Sequence, residues 1–323
     1  MNLSSRLIAR LSAGLLTAAF AAPALAQSYP AKPVRIVVPY PPGGPNDIVA
    51  RTVGQKLSEQ LGQPVIVDNK PGASGNIGAE SVAKSPADGY SLLLLTTGHT
   101  INPSLYPKLG YSPLRDFAPI SNLGLTPQTL VASPKSGFGS LKDFVEKAKA
   151  TELSYASSGN GSASHLSMEL FRTASGAKLS HVPFKGNAEA LTQVFGGEIP
   201  VMFDAIPGVL APIKSGKVKA LGIASPKRSP FLPDLPTIAE QGYPGFEAVG
   251  WIGIAAPART PEPILKTLQS AIAKALEQPE MQKRMSELAF IPVGDTPEQF
   301  TAFIRAENAK WAKAVKDSGA KVD

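Results

Sequence analysis

Residues 34–51 read VRIVVPYPPGGPNDIVAR. A β-branched run breaks on prolines and two glycines, then resumes at helical spacing through Ile48 and Val49. This order, an apolar strand, a small-residue corner and a helix, recurs along the chain and restricts the fold more than any other feature. Strands that are apolar throughout and alternate with helices bury both faces, which calls for largely parallel sheets with helices on each side.

The first series runs Val34–Val38 as strand, Asp47–Leu61 as helix with Gly62 as its stop, Pro64–Val67 as strand, Gly75–Ala83 as helix and Tyr90–Thr96 as strand. A second series opens on Ser140 as a helix N-cap. It continues through Leu153–Ala156 (strand), Ser162–Ala174 (helix), Leu179–Phe184 (strand), a helix capped by Asn187 through Phe195, and strands at Val201–Phe203 and Lys219–Ala224. Two further helices close the chain: Glu262–Gln278, and one opened by the capping box Thr296-Pro297-Glu298-Gln299. Long extended segments at Phe117–Ser133 and Phe246–Pro257 interrupt the alternation and read as crossovers between two α/β lobes. The expected division is a discontinuous lobe of residues 27–125 and 249–323, with residues 126–248 inserted as the second.

Residues 1–26 read as a cleavable export signal. Arg6 and Arg10 precede an apolar stretch from Leu11 to Phe20, and Ala24-Leu25-Ala26 offers a small-x-small cleavage site, so cleavage is expected after Ala26. Removing that segment takes two arginines and no acid, so the charge of +7 falls to +5. The surplus is scattered, whereas nucleic-acid binding needs a dense basic stripe. The chain has no cysteine, so packed cores rather than disulfides must stabilise it.

In open α/β sheets, ligands sit beyond the carboxyl ends of strands, where corners lead into helix N-termini with unpaired N–H groups. Four such corners carry suitable residues. In Tyr40–Asp47, Gly43 and Gly44 would let the backbone approach a ligand; alternatively the corner is only a tight turn and Asp47 only a cap. Thr96-Thr97-Gly98-His99-Thr100 offers hydroxyls or, equally, a cap. The run from Ser157 and Ser158 to His165 is the densest in small donors, though it could be a plain surface loop. Lys185-Gly186-Asn187, with Asp204, could close the site from the inserted lobe, Asp204 ordering loops or accepting a ligand N–H.

Chemistry is poorly represented. No HExxH, G-x-S-x-G, P-loop or G-x-G-x-x-G occurs, and Gly159-x-Gly161-x-x-Ser164 lacks the third glycine. Neither a metal nor a cofactor is expected. The alternative of an exported hydrolase would rest on Ser162 or Ser164 with a histidine, for example Ser162 with His165.

Several long segments resemble the Bug (TctC-like) family of extracytoplasmic solute receptors of tripartite tricarboxylate transporters. They are YPAKPVRIVVPYPPGGPNDIVAR, VIVDNKPGASGNIGAESVAKSPADGYSLLL, the Ser157–His165 corner, VPFKGNAEALTQVFGGEIPVMFD and LPTIAEQGYPGFEAVGWIGIAAPA, and the likeness spans residues 29–323. The resemblance implies a type II periplasmic-binding-protein fold: two α/β lobes joined by two crossover segments, with a ligand cleft between them. It also implies a monomeric periplasmic receptor that delivers a small carboxylated ligand to membrane permease subunits, or, as an alternative, presents it to a signalling partner. On this sequence the Tyr40–Asp47 corner would seat one carboxylate. Thr97–His99, Ser157–Ser158, His165 and Lys185–Gly186 would line the cleft, with Asp204 beneath. Position 40 is often phenylalanine in the family; Tyr40 adds a polar handle.

Overall fold

A computed structural model describes residues 29–321. The expected export signal lies outside the described residues. Among those described, no helix is long and apolar enough to cross a membrane.

The first half of the alternation is observed. Strand β1 (Val34–Val38) leads into helix α1 (Pro45–Leu61), which Gly62 ends with a left-handed φ of 66°. The helix begins two residues before the expected Asp47, because Pro45 occupies its first turn, where a missing N–H costs nothing. Next come β2 (Val65–Asn69), α2 (Asn76–Ala83) and β3 (Ser91–Thr96). Strands β1, β2 and β3 pair in parallel, with β1 central.

Helix α3 (Thr97–Leu105) starts where β3 ends, so of the two readings of Thr96–Thr100 the helix cap is observed. A capping box makes this abrupt start possible: Thr96 N–H donates to His99 Nδ1 at 3.0 Å, and the Thr96 side chain meets the first turn.

The 16-residue strand β4 (Phe117–Ala132) carries the chain out of this first sheet. The inserted series follows: α4 (Leu141–Ala150), β5 (Leu153–Ser157), α5 (Ala163–Ser175), β6 (Leu179–Pro183), α6 (Asn187–Gly196), β7 (Val201–Ala205), α7 (Ile206–Lys214) and β8 (Lys219–Ala224). Ser140 caps α4 as expected, and Ser162, expected as the first residue of α5, is its cap; Asn187 does not cap α6. Gly186 holds that position, and the Asn187 amide donates instead to Asp204 Oδ1 at 2.6 Å. Helix α7 has no counterpart in the sequence reading, since two prolines in IPGVLAPIK mask its helical period.

Strand β9 (Val249–Pro257) returns to the first sheet, followed by α8 (Glu262–Glu277), α9 (Pro279–Glu287), the two-residue β10 (Ile291–Pro292) and α10 (Pro297–Ser318). Both halves of the Thr296–Gln299 capping box are formed.

The strand order is β2-β1-β3-β9-β4-β7-β5-β6. The sheet is mixed rather than largely parallel: β9 runs antiparallel to β3 and β4, and β4 antiparallel to β7 and β8. The crossovers are themselves strands and pair with each other. From Phe117 to Pro127, β4 pairs with β9; from Gln128 to Ala132 it pairs with β7 and β8. At that switch Gln128 N–H donates to Ala248 O, and Ala248 N–H to Ala224 O.

Helix α10 packs on both lobes. Phe300 and Phe303 meet the Trp251 ring of β9 edge-on at 5.6 and 5.7 Å. Farther along, Trp311, Ala314 and Val315 join the core of the second lobe with Phe144, Phe171 and Phe203. Between these ends Glu307, 3% exposed, accepts indole N–H groups from Trp251 (3.2 Å) and Trp311 (2.8 Å) and pairs with Lys310. Such a buried carboxylate is tolerable only because it is paired and hydrogen-bonded.

Gly253 sets how closely β9 and α10 approach. A Cβ there would lie 2.3 Å from Phe300 Cζ and 2.9 Å from Ser121 O. Gly253→Ala is therefore expected to destabilise the protein by about 1–3 kcal/mol through overpacking. Urea unfolding measures this; an unchanged midpoint would contradict the close packing of α10 on β9.

Candidate functional site

The β3–α3 corner of the first lobe and the β5–α5 corner of the second face one another across a cavity of about 310 Å³. Four roomier grooves lie elsewhere among the described residues, two of them of about 500 and 480 Å³. One of about 840 Å³ sits between Phe138, Ile213 and Leu232; another of about 560 Å³ lies between Tyr243, Phe246 and Ala314. None of these draws strand-to-helix corners from both lobes, as the smaller interlobe cavity does, so that cavity is the candidate site.

The first-lobe wall consists of Tyr40, Ser74 and Gly98 with Ile101, Asn102 and Leu105 of α3. Tyr40 Oη lies 2.6 Å from Thr96 Oγ1, which lies 3.3 Å from His99 Nδ1. Burial raises the Tyr40 phenol pKa, so it stays protonated. Burial also pushes His99 down to about 4, so the imidazole is neutral and able to accept the Thr96 N–H. A Cβ on Gly98 would come into van der Waals contact with Tyr40 Oη, at 3.4 Å.

Ser74 belongs to a strained turn that the sequence reading did not single out. Gly72, Ala73, Ser74 and Gly75 all have positive φ, of 128°, 46°, 54° and 91°. For the two non-glycine residues the left-handed conformation costs roughly 1–2 kcal/mol each. Helix α3 offsets that cost: Asn102 Nδ2 donates to Ser74 O (3.1 Å) and Asn76 Oδ1 (2.7 Å), and Tyr106 Oη donates to Ser74 Oγ (2.8 Å). The only clue in the sequence was Gly-Ala-Ser-Gly between a strand and a helix.

The second-lobe wall is a single corner, with Ser158, Asn160 and Ser162 toward the cavity beside Gly161 and Ala163. Gly161 has a φ of 70°, and a Cβ there would fall 2.3 Å from Leu105 Cδ1. The lobes touch at this point. No lysine, arginine, aspartate or glutamate lines the cavity.

Of the expected residues, Tyr40, Gly98 and Ser158 line this cavity. Gly43 and Gly44 share the corner of Tyr40, but the Gly43 N–H is directed to Asp47 Oδ2 at 2.9 Å. Asp47 is 2% exposed and also binds Arg51 and Asn69. Burial raises its pKa, but these hydrogen bonds outweigh that and hold the carboxyl below its usual range. Thr97 Oγ1 accepts the Trp251 N–H, and His99 is fully buried, so both support the corner from behind. Ser157 is also buried. His165 lies behind the corner, where its Nδ1 accepts the Gly161 N–H at 3.0 Å.

Lys185 and Gly186 stand outside the cavity, the Lys185 N–H donating to Glu189. The neighbouring Phe184 O would lie 3.4 Å from a Cβ on Gly159. Asp204 is 2% exposed beside the starts of α6 and α7. Its Oδ1 accepts from Asn187 and from the Ala205 N–H, its Oδ2 has no partner, and burial pushes the carboxyl up to about 7.

The serine–histidine alternative fails on geometry. Ser162 Oγ accepts the His165 backbone N–H as a helix cap and does not meet its ring. Ser157 Oγ does reach His181 Nε2 at 2.6 Å, but Ser157 is fully buried, and among the described residues no carboxylate hydrogen-bonds His181. No group of three or more His, Asp or Glu residues could hold a metal, again among the described residues.

The interlobe contact yields a two-step test. Gly161→Ala should lower stability by about 1–3 kcal/mol through overpacking and positive-φ strain. Adding Leu105→Ala should recover part of that loss, measured as coupling in a double-mutant cycle; strict additivity would remove the contact.

The family described as "Tripartite tricarboxylate transporter family receptor" matches residues 49–320. Protein BugT of Bordetella pertussis is 39% identical over 326 residues, covering 100% of each chain. A solved R. palustris protein with adipate is 35% identical with a TM-score of 0.78, covering 91% of this chain and 100% of its own. MatC of Rhodopseudomonas palustris with bound malate is 33% identical with a TM-score of 0.72, covering 89% and 100%. The chain belongs to the tripartite tricarboxylate transporter receptor family, the Bug-type periplasmic solute-binding receptors with two α/β lobes and a cleft between them.

Proposed function

We propose that this receptor holds a small carboxylate between its lobes, closes on it and delivers it to the permease subunits of a tripartite transporter, leaving it chemically unchanged. The division into a lobe of residues 27–125 and 249–323 and an inserted lobe of 126–248 is part of this reading, as is export after Ala26. The carrying observation is the interlobe cavity, where hydroxyls and amides from strand-to-helix corners of both lobes converge with no lysine, arginine, aspartate or glutamate among the described lining residues. An anion there would be held by hydrogen bonds, worth roughly 1.5–3 kcal/mol each to a charged group. Three or four of these, less the cost of ordering the lobes, reach about −8 kcal/mol, a micromolar constant.

Tyr40, Ser74 and Gly98 supply the first-lobe contacts, and Ser158, Asn160 and Ser162 those of the second. Gly43, Gly44, Asp47, Thr97, His99, Ser157, His165 and Asp204 shape the corners; Lys185 and Gly186 close the edge. Adipate and malate, found in two relatives, are acids of a size such a cavity accepts. The Ile101 and Leu105 wall favours a ligand with an aliphatic middle.

A thermal-shift screen of mono-, di- and tricarboxylates, amino acids and aromatic acids tests the reading. A cognate acid should raise the midpoint with increasing concentration, following RT ln(1 + [L]/Kd), and be recovered intact. A screen in which no acid stabilises the protein, or one in which the acid is consumed catalytically, would overturn it.

A further inference from the structure

Behind the second-lobe corner two imidazoles lie face to face. His165, near the start of α5, and His181, in the middle of β6, have ring centroids 3.8 Å apart and planes only 5° from parallel. Tyr155 of β5 extends the stack, 5.0 Å from His181 and 6.3 Å from His165. Each imidazole spends a nitrogen on the corner. His165 Nδ1 accepts the Gly161 N–H at 3.0 Å, and His181 Nε2 meets Ser157 Oγ at 2.6 Å. Ser157 Oγ in turn accepts the Gly159 N–H at 3.1 Å and donates to the Gly159 O at 3.1 Å.

The corner is therefore tied down from behind at residues 157, 159 and 161, while Ser158, Asn160, Gly161 and Ser162 line the cavity. We propose that His181, which does not line the cavity, acts with His165 as a positioning pair that fixes the Ser157–Ser162 corner in its ligand-accepting shape, and does so only while the His165 ring is uncharged. This rests on the reading of the interlobe cavity as the carboxylate site.

The requirement for neutrality follows from atoms. The His165 Nδ1 lone pair takes the Gly161 N–H, so its ring proton sits on Nε2. A second proton would have to bind Nδ1 and set two N–H groups against each other. Two charged rings at 3.8 Å would also repel. The surrounding charges nearly offset one another. Tyr155 Oη donates to Glu169 Oε1 at 2.6 Å, and Arg172 pairs with Glu169 Oε2 at 2.7 Å. Lys321 lines the adjoining hollow, and Asp317 acts on Arg172 from α10.

Burial, and then the neighbouring His165, push His181 down to about 4; burial lowers His165 as well. A depressed histidine pKa contributes stability that is fully present above the unfolded value of about 6.5 and is lost as pH falls toward the folded value.

Two substitutions separate positioning from packing. His181→Phe keeps a flat ring in the stack but cannot bond Ser157, whereas His181→Gln keeps a hydrogen-bonding group and cannot be charged. With malate and adipate as probes, calorimetry should find binding weakened about tenfold in the Phe variant, the loss of one hydrogen bond, and largely restored in the Gln variant. The thermal midpoint of the Phe variant should stay at or above that of the wild type. Unchanged affinity in the Phe variant, or affinity and midpoint falling together in both variants, would overturn the proposal.

A ligand-free arm decides independently should the wild type bind neither acid, an outcome that would bring down the carboxylate reading alone. The Gly159 amide resonance should move in the Phe variant. In the wild type the Gly161 amide should shift with the imidazole signals as pH falls from about 6.5 toward about 4. Amides indifferent to both changes would end the proposal.

Discussion

Backbone pairing along β4 is the constraint on which the rest depends. One 16-residue strand serves two sheets, changing partners from β9 to β7 and β8 between Pro127 and Gln128. Register along a strand alternates side chains between faces, so a slip of one residue would turn every apolar side chain of β4 to the wrong face in both lobes. The corners that meet at the cavity therefore inherit their relative position from a continuous hydrogen-bond ladder, reinforced where Ala248 joins Gln128 and Ala224.

On that frame each corner is stabilised from behind by short polar contacts. In the first lobe, Asp47 is held by Gly43, Arg51 and Asn69, His99 accepts the Thr96 N–H, and Asn102 and Tyr106 grip the left-handed Ser74 turn. In the second, Asn187 and Asp204 join the starts of α6 and α7, and the histidine stack secures the β5–α5 corner. The cavity itself carries no charge of its own. On the proposed reading, polar groups already fixed in place need little reordering when an anion arrives, and this pre-organisation would substitute for an arginine.

The elements legible in the sequence were those whose signal is local. Apolar runs such as Leu92–Leu95 fixed strands, Gly62 a helix end, and Thr296 with Gln299 a helix start. The missed elements depend on partners distant in sequence. Helix α3 begins without a turn because Thr96 and His99 cap it, and α7 and α9 are short with proline in the first turn. Antiparallel β4 and β9 read as bare connections, since pairing between crossovers leaves no mark on either segment alone. At the site, Tyr40, Gly98 and Ser158 could be chosen by residue type. Ser74 could not, because its place depends on a strained turn clamped by Asn102, and His181 looked like an ordinary strand residue until its ring was seen lying on His165.

Helix α10 has a mechanical consequence. Its first half is seated by Phe300 and Phe303 against β9, its second half by Trp311 and Val315 in the other core, with Glu307 bonded to an indole from each end. A rod anchored at both ends works as a strut. Relative travel of the two halves of the molecule must be taken up as small sliding of packed side chains along it, since free swinging would tear apart one seat or the other.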